Sequence, residues 1–589
     1  MLAWTWGTWP DVQIDFGREL YVAWRLSEGD VLYRDIAYFN GPLSPYLNAL
    51  WFRLLGPGIQ TLAFCNLLIA ILLVALLYDL LKRIGDRRGA LLGCATFLLL
   101  FVFGQLVEVG NYNFLTPYSH ELTHGLLLAF LAIAALHASG MGKRPGLIAA
   151  AGFATGLAFL TKPEVFLALF AALSVGLGLM LRHGPWSVRL RLARVGLFAA
   201  MLVLPGVLAW AALSFFMPGD RALGGLIDPW RFLLRSDLRA FPFYRLSMGT
   251  DHLGGRLTQM AIAALAQLIF WTGVAMLDGV VQRQGKRMGL LLLLVLGACC
   301  LALQWPSAQW GGFARGALSA LPIFAATVAL GCWFMLGRRQ GGNETPAVVL
   351  RLIFSVFAFV LLGKILFNAR IHHYGFALAM PATMLLIVAM TSWLPQFARR
   401  FGGSGQTARR AWLLVWMWVI IGNLSTVGHF MRIKIHPVGE GRDRILADTR
   451  GPAVQEMLHE LQRRVGPDQT LVVLPEGVML NYLARRRSPV PYVSFMPLEM
   501  RMYGEDKMLG ALQANPPDYI VLMNRSTMEY GCPFLGQGYG AHLLKWVKRH
   551  YQEVSLIGQR PFEDTRFGAL LLRRSQIAAG NPLLYEASL

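Results

Sequence analysis

Four groups of residues in this sequence have types and spacings that can do chemistry. Asp15 and Glu19 lie four apart in DFGRELYVAW. If that stretch is helical they share a face, where carboxylates can take a proton or stay as solvated surface charges. His120-Glu121-Leu-Thr-His124 matches HExxH. In that pattern two histidines one turn apart hold zinc and the glutamate acts as general base. A divalent metal on His120, Glu121 and His124 needs a third protein ligand, and Glu164 is the nearest candidate; a chance five-residue match is the plainer reading. Thr161-Lys162-Pro163-Glu164 interrupts an apolar stretch running from Leu147 to Leu181. Charges at such a depth are costly and serve either function or the capping of two short helices. Arg370-Ile-His372-His373-Tyr374, with Lys364 before it, is a cationic cluster suited to an anion, or a set of snorkelling side chains.

Elements that must position these residues follow from composition. The chain has 589 residues, 55% hydrophobic and 15% charged, with a mean hydropathy of +0.48. That is too apolar for a soluble globular protein and fits a polytopic α-helical membrane protein. The net charge of +21 does not indicate nucleic acid, because Lys and Arg fall mainly in short clusters between apolar runs. Five of the six cysteines lie in apolar runs, so neither a disulfide framework nor a CxxC zinc pair can be built.

Apolar helical spans fall at about 59–81, 89–107, 121–138, 146–160, 165–181, 194–217, 257–281, 288–304, 316–337, 349–367, 375–395 and 411–431. Alternate connections are basic, as at Lys82 to Arg88, Arg182 to Arg194 and Arg399 to Arg410, and should face the cytoplasm. The opposite set is then extracytoplasmic. It contains the acidic, aromatic stretch Trp4 to Gly56, the turn at Glu108 to Tyr118, Lys162 to Glu164, the loop Pro218 to Arg256, the loop Trp305 to Arg315, Asn368 to Tyr374 and everything after Arg432. The expected organisation is a first outer loop with interfacial helices over 1–58, a transmembrane domain over 59–431 and a small extracytoplasmic α/β domain over 432–589. Met1 to Trp9 is neither a signal peptide nor long enough to span, so a membrane helix is expected upstream of Met1. In the last region TLVVLPE and DYIVLMN read as buried strands between helical stretches. Gly536-Gln-Gly538-Tyr-Gly540 lacks the spacing of a dinucleotide fingerprint and reads as a loop before a helix.

The acidic first loop, the short helices around Thr161-Lys162 and the outer C-terminal domain together resemble the GT-C membrane glycosyltransferases. The likeness is to the bacterial branch related to protein mannosyltransferases and lipid A aminoarabinose transferases. It is carried by DFGRELYVAW, LYRDIAYFNGPLSPYLNALWFRLLG and GLAFLTKPE. Asp15, Pro42-Leu43 and Gly56 occupy the places of the family's loop Asp, its Pro-Leu segment and its glycine-terminated helix, while Phe16 stands where Glu is common and Asn40-Gly41 where some relatives have Lys. The resemblance implies an inverting glycosyltransferase in a bacterial inner membrane. Asp15 would be the general base on an acceptor hydroxyl of a glycan, lipid or protein. Lys162, Arg370 and His373 would meet the phosphate of a polyprenyl-phosphate-linked sugar donor. Glu19, His120 and Glu121 would position the acceptor or a divalent cation, metal use being variable in the superfamily. The competing readings are an intramembrane HExxH zinc protease and a lipid-linked-glycan transporter.

Overall fold

A computed structural model describes residues 1–140, 142–183, 186–304, 316–338 and 345–575. The expected outer loop at Trp305 to Arg315 and the last residues of the C-terminal region lie outside the described residues. The chain is a polytopic α-helical membrane protein with a small C-terminal α/β region. Among the described residues nine helices are long and apolar enough to cross a membrane, and Pro145–Phe159 and Arg287–Cys300 are shorter apolar helices. The stretch expected as one span at about 89–107 is α-helical only over Arg87–Thr96 and widens to a π-helix over Phe97–Val102. It ends before Gly104, where the Gln105 side-chain amide donates to the carbonyls of Val107 and Glu108 and turns the chain into the second outer loop.

Two helices organise the first outer loop. Phe16–Ser27 carries apolar residues at helical spacing, and Leu43–Leu55 follows Pro42 and ends at Gly56, whose φ of 84° only glycine adopts freely. The aromatic mixture suggests that the first of these lies at the membrane surface, and in the structure it is also covered by protein. Nearly every residue from Phe16 to Trp24 is buried. The helix is roofed by the C-terminal region: a Cβ on Gly17 would sit 2.8 Å from Met479 Cα, and Phe16, Leu20 and Trp24 share one core with Leu471, Met479 and Tyr482. That burial removes enough apolar surface from water to tie the two segments together, at about 25 cal/mol per Å².

The C-terminal region opens with β1 (His436–Val438) and β2 (Ile445–Ala447), paired antiparallel, and helix Gly451–Arg464. A four-stranded sheet follows, β3 (Leu471–Leu474), β4 (Tyr519–Met523), β5 (Tyr551–Gly558) and β6 (Gly568–Arg574), in the order β3-β4-β6-β5. Only β3 and β4 are parallel. Both strands are buried along their whole length, as a sheet covered on two faces requires. Helices Met479–Ala484, Pro497–Tyr503, Glu505–Ala514 and Ala541–His550 pack around them.

Candidate active site

A cavity of ≈600 Å³ lies between the outer loops and the C-terminal region, and Asp15, Arg18, Asn40, Lys162, Glu164 and His373 line its membrane-side wall. Asp15 is the residue before the helix Phe16–Ser27, held at φ 59°. A non-glycine residue in that region costs of order 1–3 kcal/mol and persists only where its surroundings fix it. Two contacts fix it here. Its amide donates to Glu476 Oε1 at 3.2 Å, and Asn111 clamps the preceding turn, accepting from the Asp11 amide at 2.9 Å and donating to the Ile14 carbonyl at 2.7 Å. Among the described residues no side chain hydrogen-bonds the Asp15 carboxylate. Burial, then the negative charge of Glu476, pushes that carboxyl up to about 7, against Arg18 and Arg525. Asn111→Asp keeps the clamp's acceptor but sets an oxygen against the Ile14 carbonyl. It should cost about 1–3 kcal/mol of stability, read as a lowered unfolding temperature with activity falling in parallel; an unchanged melting curve would remove Asn111 from this role.

Asn40-Gly41 and the Lys162 turn are stitched together. The Gly41 amide donates to the Thr161 carbonyl at 2.9 Å and the Leu43 amide to the Leu160 carbonyl at 3.1 Å. A Cβ at Gly41 would come within 2.7 Å of the Thr161 carbonyl oxygen, so the approach needs glycine. The Lys162 ammonium donates to Ser119 Oγ at 3.1 Å and lies 4.8 Å from the Tyr118 ring. It has no carboxylate partner among the described residues. Its neighbours are paired: Arg18 with Glu19 at 3.3 Å and Lys364 with Glu164 at 2.7 Å. Burial lowers Lys162 to about 8.

Glu19 and the histidine motif are in a different place from Asp15. Glu19 Oε2 meets His120 Nδ1 at 2.7 Å and accepts from the His120 amide at 3.1 Å. Burial alone would raise the Glu19 carboxyl, but the hydrogen bond to His120 and the charges of His120 and Arg18 hold it low. His120 Nε2 lies 2.9 Å from Asn66 Nδ2, and His124 Nδ1 lies 3.0 Å from Ser44 Oγ. Glu121 is fully buried, accepting from Tyr38 and, at 2.5 Å, from Ser119 Oγ. Both His120 nitrogens are thus engaged inside the protein, and among the described residues no three His, Cys, Asp or Glu side chains are grouped to hold a metal ion. The zincin arrangement of His120, Glu121 and His124 therefore does not form. Glu19, His120 and Glu121 do not line the cavity; they brace the loop helix and, through Ser119, the Lys162 ammonium.

Of the proposed phosphate cluster, His373 joins Lys162 at the cavity, and Arg370 lines an adjoining one of ≈630 Å³ that His373 also borders. His373 has φ 53° and stacks on Tyr112, ring centroids 4.4 Å apart. Burial, then the charge of Arg370, pushes His373 down to about 3. It is neutral at pH 7 and offers a hydrogen bond but no charge.

The remaining wall comes from the C-terminal region and was missed in the sequence. Glu476 and Arg525 stand just beyond the carboxyl ends of the parallel strands β3 and β4, joined at 2.9 Å, and Arg525 reaches Glu529 at 2.6 Å. Glu499, in helix Pro497–Tyr503, completes it. The signal was available, since crevices at the carboxyl ends of parallel strands are where α/β sheets bind ligands. Glu108 and Arg239 are exposed members of the lining.

Residues 40–210 match the family model described as dolichyl-phosphate-mannose-protein mannosyltransferase. No curated protein sequence matches the chain. Among solved structures the chain is similar to the Archaeoglobus fulgidus oligosaccharyltransferase in the apo form, with 12% identity and a TM-score of 0.45, over 88% of this chain and 66% of that one. The chain thus spans just under two thirds of that relative's length. It is also similar to ArnT from Cupriavidus metallidurans bound to undecaprenyl phosphate, with 14% identity and a TM-score of 0.44, over 97% of this chain and 96% of that one.

Proposed function

We propose that this GT-C-type membrane glycosyltransferase moves a sugar from a polyprenyl-phosphate donor to an acceptor hydroxyl, by a single displacement that inverts the anomeric carbon, on the outer face of a bacterial inner membrane. The observation that carries the reading is one cavity holding both Asp15, on a strained backbone and with its carboxylate unbonded among the described residues, and the buried Lys162 ammonium, which has no carboxylate partner among them. The match of residues 40–210 to a mannosyltransferase family supports it.

In this mechanism Asp15 takes the acceptor proton as the acceptor oxygen bonds to the anomeric carbon. The bond from that carbon to the phosphate oxygen breaks, and its electron pair leaves with the polyprenyl phosphate. A hydroxyl is a poor nucleophile until its proton has somewhere to go, and a carboxyl tuned near neutral pH matches the task. Lys162, with the Asn40 amide and neutral His373 as further hydrogen-bonding groups, meets the charge that grows on the leaving phosphate. Arg370 acts one step away, from the adjoining cavity. The C-terminal region roofs the acceptor's side. The His120 and His124 Nδ1 atoms already have partners, and no step here is assigned to a divalent cation.

Transfer from a synthetic polyprenyl-phosphate sugar to a hydroxyl acceptor by the chain in nanodiscs should give a product of inverted configuration by NMR. Retained configuration would sink the single-displacement scheme. The pH dependence follows from the two shifted groups. Asp15 must be ionised, so kcat/KM should fall about tenfold per unit as pH drops below about 7. Lys162 must be charged, so a second limb should descend above about 8. A profile flat from about pH 5 to about pH 9 would contradict both assignments.

A further inference from the structure

The two walls of the cavity differ, and among the described residues each holds a buried ionisable side chain without an ion-pair partner that bears on what it can bind. On the membrane side that group is Lys162. On the C-terminal side it is Glu499, 9% exposed, whose Oε2 is buried with no hydrogen-bond partner. An unsatisfied buried carboxylate oxygen is costly unless a ligand supplies a donor. Around it Glu476 and Glu529 share the single cation Arg525, so this wall keeps an excess of negative charge. The membrane-side orphan is a donor atom by contrast: Asn40 Nδ2, buried and unpartnered.

We infer that the C-terminal wall is the acceptor subsite, with Glu499 as its specificity-determining residue, and that it selects an uncharged or cationic acceptor rich in hydroxyl or ammonium donors over one bearing phosphate or carboxylate. The assignment rests on the transferase reading. A phosphate can be satisfied at Lys162 and Asn40, whereas at Glu499 it would meet like charge in a desolvated site. A sugar hydroxyl or an amine there fills the empty position on Oε2 and leaves the Glu476–Arg525–Glu529 chain intact. Glu499 also feels the charge of Arg18 from the opposite wall and that of Glu476 on its own. Its negative character is therefore reinforced by Glu476 and partly offset by Arg18. Burial pushes its carboxyl up to about 7, and a donor brought to Oε2 by a ligand would favour the ionised form again.

The test uses the full chain in nanodiscs and four probes sharing one butyl pyranoside frame: butyl glucoside, butyl glucosaminide, butyl glucuronide and butyl glucoside 6-phosphate. Direct binding should favour the first two over the anionic pair by about tenfold or more, because like-charge juxtaposition suppresses wrong ligands. In Glu499→Gln the preference should shrink to about threefold or less, and in Glu499→Lys it should reverse. Undecaprenyl phosphate binding, measured alongside, should be unchanged in Glu499→Gln and reports that the variant is folded. Anionic probes binding the wild type as well as butyl glucoside, or a preference undiminished in a folded Glu499→Gln, overturns the inference. Absence of undecaprenyl phosphate binding in the wild type overturns the transferase reading instead, and the butyl probes still read the charge preference.

Discussion

Asp15→Asn is expected to lower the rate of sugar transfer by roughly 10²–10⁴-fold, the range that a positioned general base contributes. The amide has nearly the shape of the carboxylate but cannot take the acceptor's proton. The substitution is also the fair test of the backbone: position 15 sits at φ 59°, and Asn, nearly isosteric with Asp, adds no strain that Asp does not already carry there. Asp15→Ala would mix the loss of the base with added strain. Because the Asp15 amide, not its carboxylate, bonds Glu476, the asparagine should leave that tie in place. Turnover under saturating substrates is the measurement, with donor binding as the check on folding. Transfer within about threefold of wild type would show that another cavity group is the base, Glu476 and Glu499 being next in line.

Lys162→Met should cost roughly 10²–10³-fold, the scale seen when one preorganised group at a developing anion is lost. The split between kcat and KM identifies the role. A polyprenyl-phosphate sugar is a phosphodiester with one negative charge, and it leaves as a monoester with a second charge developing. An ammonium beside it is worth more in the transition state than in the bound donor, so kcat should fall further than KM rises. A rise in KM alone would make Lys162 a docking charge. Methionine fills the apolar part of the lysine's volume, and it frees Ser119, which still bonds Glu121. Loss of the fold is therefore not the expected outcome.

Spans were legible because a bilayer demands long apolar helices, and the buried strands because β3 and β4 are short apolar runs ended by turn residues. The TKPE turn was legible because charge inside an apolar stretch is rare. What misled was spacing. Asp15 and Glu19 are four apart, which puts two residues on one face only if both are helical. Asp15 lies before the helix at a positive φ of 59°, outside the helical conformation, so its carboxylate turns to the cavity while Glu19 turns inward to His120. The HExxH match is likewise sound as a pattern, but Glu19 and Asn66 reach His120 from distant segments, and pairings of that kind leave no local trace. Glu476 and Arg525 were hidden for a related reason: each reads as the polar end of a strand, and only the parallel pairing of β3 with β4 sets them side by side.

The core that helix Phe16–Ser27 shares with the last region of the chain has a consequence for biogenesis. The helix precedes every candidate membrane span among the described residues, and Met479 and Tyr482, which cover it, follow the last of them. Until they are made the helix has only its N-terminal neighbours, among them Phe52, Ile59 and Leu62, and lacks the C-terminal side chains that complete its cover. On the proposed reading, the loop that carries Asp15 is complete only when the C-terminal region covers it, so a chain lacking that region should show no transfer.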